Sequence, residues 1–411
     1  MSNILFYVIV GILIFDFILE QFLDYLNATK RNSPLPEIVK NIFPEDKYQK
    51  SKEYDKANYK FSIINSSFDF LLVLSFLYIS GFAIVDQFAR IYSSNPIVIA
   101  LIFFGIILLV SDIVHIPFSI YDTFVIEEKF GFNKTTPKTF IFDKIKGWAI
   151  MILIGGLLLS VIVWFYYYSG TYFWVFAWIL SVAFMLFMLM FYTSIFVPLF
   201  NKLKPLEEGE LKNAIQEFCN KVDFKLKDVY IIDGSKRSSK ANAFFSGIGK
   251  KKKIVLYDTL IEKLSIEEIV AVLAHEIGHY KKKHTLMSFI NSIIQTGVTL
   301  FILSLFVGNP DFSKALGSEI YGFHLGLITF GFLYSPISTV IGLFSNMLSR
   351  YNEYAADNYV AIYYKGEHLI NALIKLSANN LSNLTPHPLY VFFNYSHPTL
   401  LQRITNINRI K

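Results

Sequence analysis

The chain contains a single cysteine, Cys219, among its 411 residues. This count excludes intrachain disulfides and any zinc cluster built from cysteines. Charged residues are also scarce, at 17% of the chain against about 25% in an ordinary soluble domain. Apolar residues instead make up 54%, with 41 Phe and 25 Tyr. A soluble fold of this size could not bury so much apolar surface, so the composition indicates a polytopic membrane protein that lies in a lipid bilayer.

Lys and Arg are missing from seven apolar stretches, each long enough to cross a bilayer as a helix. These stretches are residues 3–26, 61–84, 96–116, 148–169, 172–198, 285–307 and 322–348. Of the 38 Lys and Arg residues, 36 lie in segments 27–60, 117–147, 199–284 and 349–411. The positive-inside rule therefore predicts an N-terminus outside and a C-terminus in the cytoplasm. Topology accounts for the basic charge, so nucleic acid binding has no remaining support.

Four acidic residues lie in or near the predicted spans: Asp16, Glu20, Asp69 and Asp112. Each would cost about 2.5–3.5 kcal/mol at a lipid-exposed helix centre. One interpretation places them at the membrane interfaces, where water reaches them. The other interpretation, which we favour, is a hydrated chamber enclosed by the spans, with Asp69 and Asp112 facing inward.

The sequence from His275 to His279 is an H-E-x-x-H motif. Two His residues four apart lie on one face of a helix and can both bind one metal ion, here predicted to be zinc. Glu276 lies beside them and can take a proton from a water molecule activated by the zinc and pass it to the leaving amine. Ser265 and Glu268 form a capping box that predicts the start of this helix.

Catalytic zinc usually has three protein ligands and one open position. Glu353 and Asp357 are four residues apart and would share a helix face. Glu353 is the candidate third ligand, and Asp357 is a candidate acceptor for the N–H of a ligating His, which would fix its tautomer. The alternative is that both acids lie on a solvated helix face.

Three further residues are candidates for substrate binding and catalysis. Asn242 precedes a predicted strand at 253–257, and an edge strand beside a metal can bind an extended peptide. The Asn242 amide could hold the substrate backbone or form an Asx-turn. His397 and Arg403 are candidates for stabilising the oxyanion from a tail that folds back over the site.

Together these residues resemble the integral-membrane CAAX prenyl protease family, type I, within the gluzincin metalloproteases. The resemblance covers nearly the whole chain. It includes residues 19–21 and 124–133, Asn242-Ala243-Phe244, the H-E-x-x-H motif, residues 353–357 and Ser396-His397-Pro398.

The resemblance implies a seven-helix barrel around a large chamber and one zinc ion bound by His275, His279 and Glu353. It also implies that Glu276 is the base, that Asn242 binds the substrate backbone, and that His397 and Arg403 lie near the transition state. The reaction implied is cleavage of the last three residues of prenylated C-a-a-X proteins. The compact chain favours a bacterial cytoplasmic membrane, with the endoplasmic reticulum as the eukaryotic counterpart.

The predicted organisation has four parts. Residues 1–198 hold five transmembrane helices and two cytoplasmic loops, and residues 199–284 form the cytoplasmic zinc metalloprotease domain. Residues 285–348 hold helices six and seven, and residues 349–411 form a cytoplasmic tail with the third ligand. One alternative function is a quality-control protease that cuts membrane proteins without a prenyl group. Another is a scaffold or transporter with a vestigial metal site, against which the presence of Glu276 argues.

Overall fold

The structure is a computed structural model that describes residues 4–40, 42–226, 228–246 and 253–410. The predicted parts that begin at residue 1 and end at residue 411 therefore extend slightly beyond it. Six helical segments in the described residues are long and apolar enough to cross a membrane. They are Ile4–Thr29, Glu45–Tyr78, Pro96–Phe130, Pro137–Phe200, His284–Phe306 and Phe323–Tyr363. These segments agree with the polytopic helical membrane protein that the sequence predicts.

Helices account for the first half of the chain. They are α1 (Ile4–Thr29), α2 (Glu45–Tyr78), α3 (Gly81–Tyr92), α4 (Pro96–Tyr121), α5 (Glu128–Phe130), α6 (Pro137–Ile150), α7 (Gly156–Ser169), α8 (Phe173–Phe191) and α9 (Val197–Phe200). Short π-helical segments, Asp122–Glu127, Met151–Gly155 and Tyr192–Phe196, join several of them into longer helices.

The count of seven spans stays a prediction. The stretches 148–169 and 172–198 both fall in one 64-residue segment, Pro137–Phe200. Gly170, at a φ of 54°, lies between α7 and α8. The two helices contact each other, as a helical hairpin requires. A straight helix of that length would be about 95 Å long, roughly three times the thickness of the hydrocarbon core.

The second predicted span, 61–84, is wrong at its end. Helix α2 ends at Tyr78, and Ser80 adopts a left-handed conformation with φ 55°. The apolar run continues across this break, so composition alone did not reveal it. Helix α3 packs against α4 and places Asp86 in a buried position where it accepts hydrogen bonds from Arg90 (2.9 Å) and pairs with His324 (2.7 Å).

The sheet lies between the two groups of membrane helices in the sequence. Its strands are β1 (Leu203–Pro205), β2 (Asp228–Ile232), β3 (Ala243–Ser246) and β4 (Lys253–Tyr257), in the order β1-β2-β4-β3. The predicted strand at 253–257 is confirmed as β4, but it is an inner strand. The strand at the edge beyond it is β3, which pairs antiparallel with β4. Strand order depends on long-range pairing, which a local pattern does not reveal.

The remaining helices build the site and the tail. They are α10 (Glu210–Lys221), α11 (Asp258–Lys263), α12 (Ile266–Lys281), α13 (His284–Phe306), α14 (Pro310–Ala315), α15 (Phe323–Tyr363), α16 (Gly366–Asn379), α17 (Pro388–Asn394) and α18 (Leu400–Asn408). Helix α15 runs for 41 residues without interruption, so the predicted seventh span and the Glu353 segment are one rigid element. The largest apolar core lies among α10, α12, α16 and the sheet, and α15 adds Tyr359 and Val360 to it.

The long helices contact one another in a closed series. Helix α1 contacts α2, α3 links α2 to α4, α4 contacts α7, and α7 contacts α8. Helix α8 then contacts α13, α13 contacts α15, and α15 returns to α1. This arrangement agrees with the expected barrel.

Three of the four acids in the spans have partners on neighbouring helices. Asp16 accepts a hydrogen bond from Ser335 (2.6 Å), Asp69 contacts His115 (2.5 Å), and Asp112 contacts Lys144 (2.7 Å). The side chains of Asp69 and Asp112 are 40% and 34% exposed. These contacts place the acids between helices, as the chamber requires, whereas the hydration of the interior stays a prediction.

Candidate metal centre

Helix α12 carries the H-E-x-x-H motif, and its start is fixed as predicted. The backbone N–H of Glu268 donates to Ser265 Oγ (3.3 Å), and the N–H of Ser265 donates to Glu268 Oε2 (2.9 Å). Such reciprocal bonds satisfy two of the free donors at a helix start. The predicted capping box is confirmed, and it sets the register that presents His275 and His279 on one face.

Gly278 allows α12 and α15 to pack very closely. A Cβ atom at this position would lie 3.1 Å from Tyr359 Cβ and 3.3 Å from Ala356 Cα. Both distances are tighter than most real contacts, so a side chain here would push the helices apart. The glycine thus serves the approach of α15, which brings Glu353 to the two His residues.

Three side chains converge at this helix contact. His275 Nε2 and His279 Nε2 are each 3.3 Å from a Glu353 carboxylate oxygen, and the two imidazole nitrogens are 3.1 Å apart. One potential ligand atom from each residue lies within 4.8 Å of the others. The structure brings together the three ligands that the sequence proposed.

The donor set fits a divalent metal ion. Glu353 Oε2 is buried and accepts no hydrogen bond of good geometry in the described part of the chain. Its neighbours are His275 Nε2 at 3.3 Å and Arg403 Nη1 at 3.6 Å. A buried carboxylate oxygen without a hydrogen bond is costly unless something else binds it, and a metal ion held between Glu353 and the imidazoles would do so. Two imidazoles and one carboxylate are the ligand types of catalytic zinc sites, which keep a fourth position for water or substrate.

Asp357 and Arg403 form a buried layer behind His275. Asp357 Oδ1 lies 2.9 Å from His275 Nδ1. Arg403 donates to both Asp357 oxygens, at 2.6 and 2.9 Å. The Nδ1–H of His275 is therefore directed at Asp357, which leaves Nε2 for the metal. Burial and Arg403 lower the pKa of His275, but the hydrogen bonds with Asp357 and Glu353 outweigh them and raise it to about 9.

His284 plays the corresponding part for His279, which sequence reasoning missed. His284 Nδ1 lies 3.1 Å from His279 Nδ1. A left-handed residue, Lys283 with φ 60°, separates α12 from α13 and turns His284 back toward the site. His279 and His284 are five residues apart, which is not a spacing that puts two metal ligands on one face of a helix. A histidine next to a basic turn just after the motif was the available signal.

The tail returns to the site as predicted. His397 Nε2 lies 3.3 Å from Glu353 Oε1, although its side chain is 63% exposed. Arg403 Nη1 lies 3.6 Å from Glu353 Oε2. Two of the Arg403 nitrogens are committed to Asp357. His397 is thus open to a substrate, while Arg403 is held inside the protein.

Glu276 is half-buried on α12. No hydrogen bond from another described side chain engages its carboxylate, so it is available to a water molecule. Its charge acts on Arg403, whose pKa it helps to raise although burial lowers it. As the neighbour of His275 on α12, Glu276 lies beside the converging residues but is not one of them.

Asn242 lies apart from this cluster in the contacts that the structure describes. It is exposed, its Oδ1 accepts the N–H of Ala243 (2.8 Å), and its carbonyl accepts the N–H of Tyr257 (3.1 Å). It thus leads directly into β3, the strand at the sheet edge. Its role toward a substrate stays a prediction.

Comparison with known proteins agrees with this geometry. Residues 205–411 match Peptidase family M48, and residues 24–202 match the family described as CAAX prenyl protease N-terminal, five membrane helices. The chain belongs to peptidase family M48. It is a multi-pass membrane metalloprotease, as the sequence predicted.

Individual M48 relatives match almost end to end. The CAAX prenyl protease 1 homolog of Arabidopsis thaliana is 34% identical over 97% of this chain and 96% of its own length. CAAX prenyl protease 1 of Saccharomyces cerevisiae is 33% identical over 98% and 95%. The crystal structure of S. mikatae Ste24p matches with a TM-score of 0.94 and 32% identity, over 98% of this chain and 99% of that one. These matches confirm that the chain belongs to the CAAX prenyl protease family that its sequence resembles.

Proposed function

We propose that this M48 protease binds one zinc ion on His275, His279 and Glu353 and cleaves proteins that end in a C-a-a-X sequence. The observation that carries the proposal is the convergence of these three residues at one point, where Glu353 Oε2 is buried and accepts no hydrogen bond from the described residues. The substrate class is supported by the relatives, which are named CAAX prenyl proteases.

The chain's own residues divide the chemistry between them. Zinc, when bound, would polarise the scissile carbonyl and activate water for attack. Glu276 takes a proton from that water and delivers it to the leaving amine. Asp357 and His284 keep the imidazoles of His275 and His279 in the tautomers that leave Nε2 free.

The tail completes the site. His397 lies beside Glu353, a proposed zinc ligand, and so close to where the substrate would react. From there its imidazole could donate a hydrogen bond to the substrate carbonyl oxygen, which gains negative charge during attack. Arg403 acts mainly through Asp357 and Glu353, so we assign it a positioning role. This assignment refines the expectation that both residues stabilise the oxyanion.

The substrate would lie along β3 as an extended peptide. A strand at the edge of a sheet offers free backbone groups to an added strand. Asn242, at the start of β3, would fix the register of the added strand through its amide. The pairing direction and the side-chain pockets depend on the peptide bound.

Topology and location complete the proposal. We place the N-terminus outside and the metal centre at the cytoplasmic side, on the distribution of Lys and Arg. The relatives named above are eukaryotic, and this supports a prenylated substrate. The compact chain alone favoured a bacterial membrane instead. Whether the protein lies in a bacterial cytoplasmic membrane or in the endoplasmic reticulum membrane stays a prediction.

The test uses the purified full chain with zinc and two C-a-a-X peptides, one farnesylated and one not, with products identified by mass spectrometry. Release of the last three residues from the farnesylated peptide, and none from the Glu276→Gln variant, is the expected result. Equal cleavage of both peptides would favour the quality-control function. Cleavage of neither would contradict the proposed substrate class.

A further inference from the structure

Arg350 lies on α15, three residues before the proposed ligand Glu353. On an α-helix this spacing puts the two residues about 60° apart around the axis and about 4.5 Å apart along it. Arg350 is half-buried. It is therefore a cationic side chain on the same helix and nearly the same face as the metal site.

The other half-buried arginines are paired with acids, whereas Arg350 is not. Arg31, Arg90, Arg237 and Arg403 each lie within 3 Å of an aspartate oxygen. Among the described residues no carboxylate lies within 4 Å of Arg350. Its Nη1 donates to the carbonyl oxygens of Tyr395 (2.5 Å) and Val391 (3.3 Å).

Most of the hydrogen-bonding capacity of Arg350 is unused. A guanidinium group has five N–H donors in a planar fork. In the described structure only Nη1 makes hydrogen bonds, both to the end of α17. The Nε and Nη2 donors have the geometry that binds a carboxylate with two parallel bonds.

The tail places this guanidinium near the metal centre. Tyr395, which Arg350 contacts, is two residues before His397, and His397 lies 3.3 Å from Glu353. Two residues span at most about 7 Å. Acidic residues also lie near α17, since burial together with Asp24, Asp55 and Glu20 raises the pKa of Tyr390 to about 12. Arg31 in this region is neutralised by Asp55, which leaves Arg350 as an arginine without a carboxylate partner among the described residues.

The proposed substrate carries an anion a short way beyond the scissile bond. Cleavage before the last three residues puts the C-terminal carboxylate about 10 Å beyond the scissile bond in an extended peptide. We propose that the Arg350 guanidinium binds this C-terminal carboxylate and thereby sets the cleavage position three residues from the end. This inference rests on the proposed function.

The test compares one C-a-a-X peptide with a free C-terminal acid and the same peptide with a C-terminal amide. The wild-type chain should cleave the acid with a kcat/KM about tenfold or more above that of the amide, which is the usual worth of a charge-assisted hydrogen bond. Arg350→Gln should bring this ratio close to one, mostly through a higher KM for the acid. Arg350→Lys, which keeps the charge without the fork, should retain part of the preference.

Arg409→Gln is the matched control, because Arg409 is an exposed arginine at the end of α18. It should keep the wild-type ratio. A wild-type ratio of one, or an unchanged ratio in Arg350→Gln, would overturn the inference and leave Arg350 as a cap of α17. Cleavage of the amide but not of the acid would overturn the inference while supporting the peptidase activity. Cleavage of neither peptide would contradict the proposed function.

The preference for the acid over the amide peptide can also be measured on a variant without activity. If Arg350→Gln has no measurable turnover, the affinities for labelled acid and amide peptides are compared in the Glu276→Gln background, with and without Arg350→Gln. Loss of the acid preference in the double variant supports the inference. Retention of that preference refutes it.

Discussion

Replacement of Asp357 by Asn tests how the metal centre is held together. Asp357 is fully buried, accepts from His275 Nδ1 at 2.9 Å and takes two hydrogen bonds from Arg403. Asn keeps the shape but loses the charge, and its NH2 group cannot accept from either partner. The variant should therefore disturb both the orientation of His275 and the charge balance of Arg403.

Two effects of different size follow. Loss of a carboxylate behind a ligating His usually lowers metal affinity about 10–100-fold, or about 1.4–2.8 kcal/mol. Removing one partner of a buried ion pair costs about 3–5 kcal/mol of folding free energy. Because typical domains are stable by only about 5–15 kcal/mol, we expect a clear drop in the unfolding temperature as well as weaker zinc binding.

The assay is zinc titration against a competing chelator on the purified chain, together with thermal unfolding. Asp143→Asn is the matched control, because Asp143 also receives two hydrogen bonds from an arginine, Arg237, but lies away from the metal ligands. The control should bind zinc as the wild type does. Wild-type zinc affinity in Asp357→Asn would refute the role given to Asp357.

Three other predictions concern the metal and the topology. His284→Ala should weaken zinc binding about 10–100-fold, and an unchanged affinity in the same chelator assay would show that His279 needs no such partner. Since the pKa of His275 is raised to about 9, the metal-free site holds a proton at neutral pH. Zinc binding should therefore release more protons per ion at pH 7 than the ionisation of zinc-bound water alone would. Calorimetry in buffers of different ionisation enthalpy measures this release, and no proton release at pH 7 would contradict the prediction. A reporter fused after Lys411 should be cytoplasmic. A cysteine that replaces the exposed Lys314, in a Cys219→Ser background, should react with a thiol reagent added from outside. The reverse pattern would overturn the topology argued from the distribution of Lys and Arg.

The sequence predicted the parts of the site that are local. His275, Glu276 and His279 share one helix, and Glu353 and Asp357 share another, so helical periodicity alone indicates which side chains face together. The capping box was predictable for the same reason. Tail residues His397 and Arg403 were predictable because the family resemblance carried them.

Features that depend on long-range packing were not predictable. Asp86 and His324 are far apart in sequence and meet only in the fold. The role of Gly278 in the close packing of α12 against α15 also depends on the fold and not on the motif. The break at Ser80 interrupts a run that stays apolar, and the order of β3 and β4 follows from pairing that no short pattern encodes.

The most direct test of the account is to measure zinc content and proteolysis on the same samples of wild-type and Glu276→Gln protein. Glu276 is not one of the converging ligands, so both proteins should contain about one zinc ion per chain. Turnover of the variant should fall by about 100-fold or more, because the proton acceptor is lost. A Glu276→Gln protein that binds zinc and retains near-wild-type turnover would contradict the proposed mechanism.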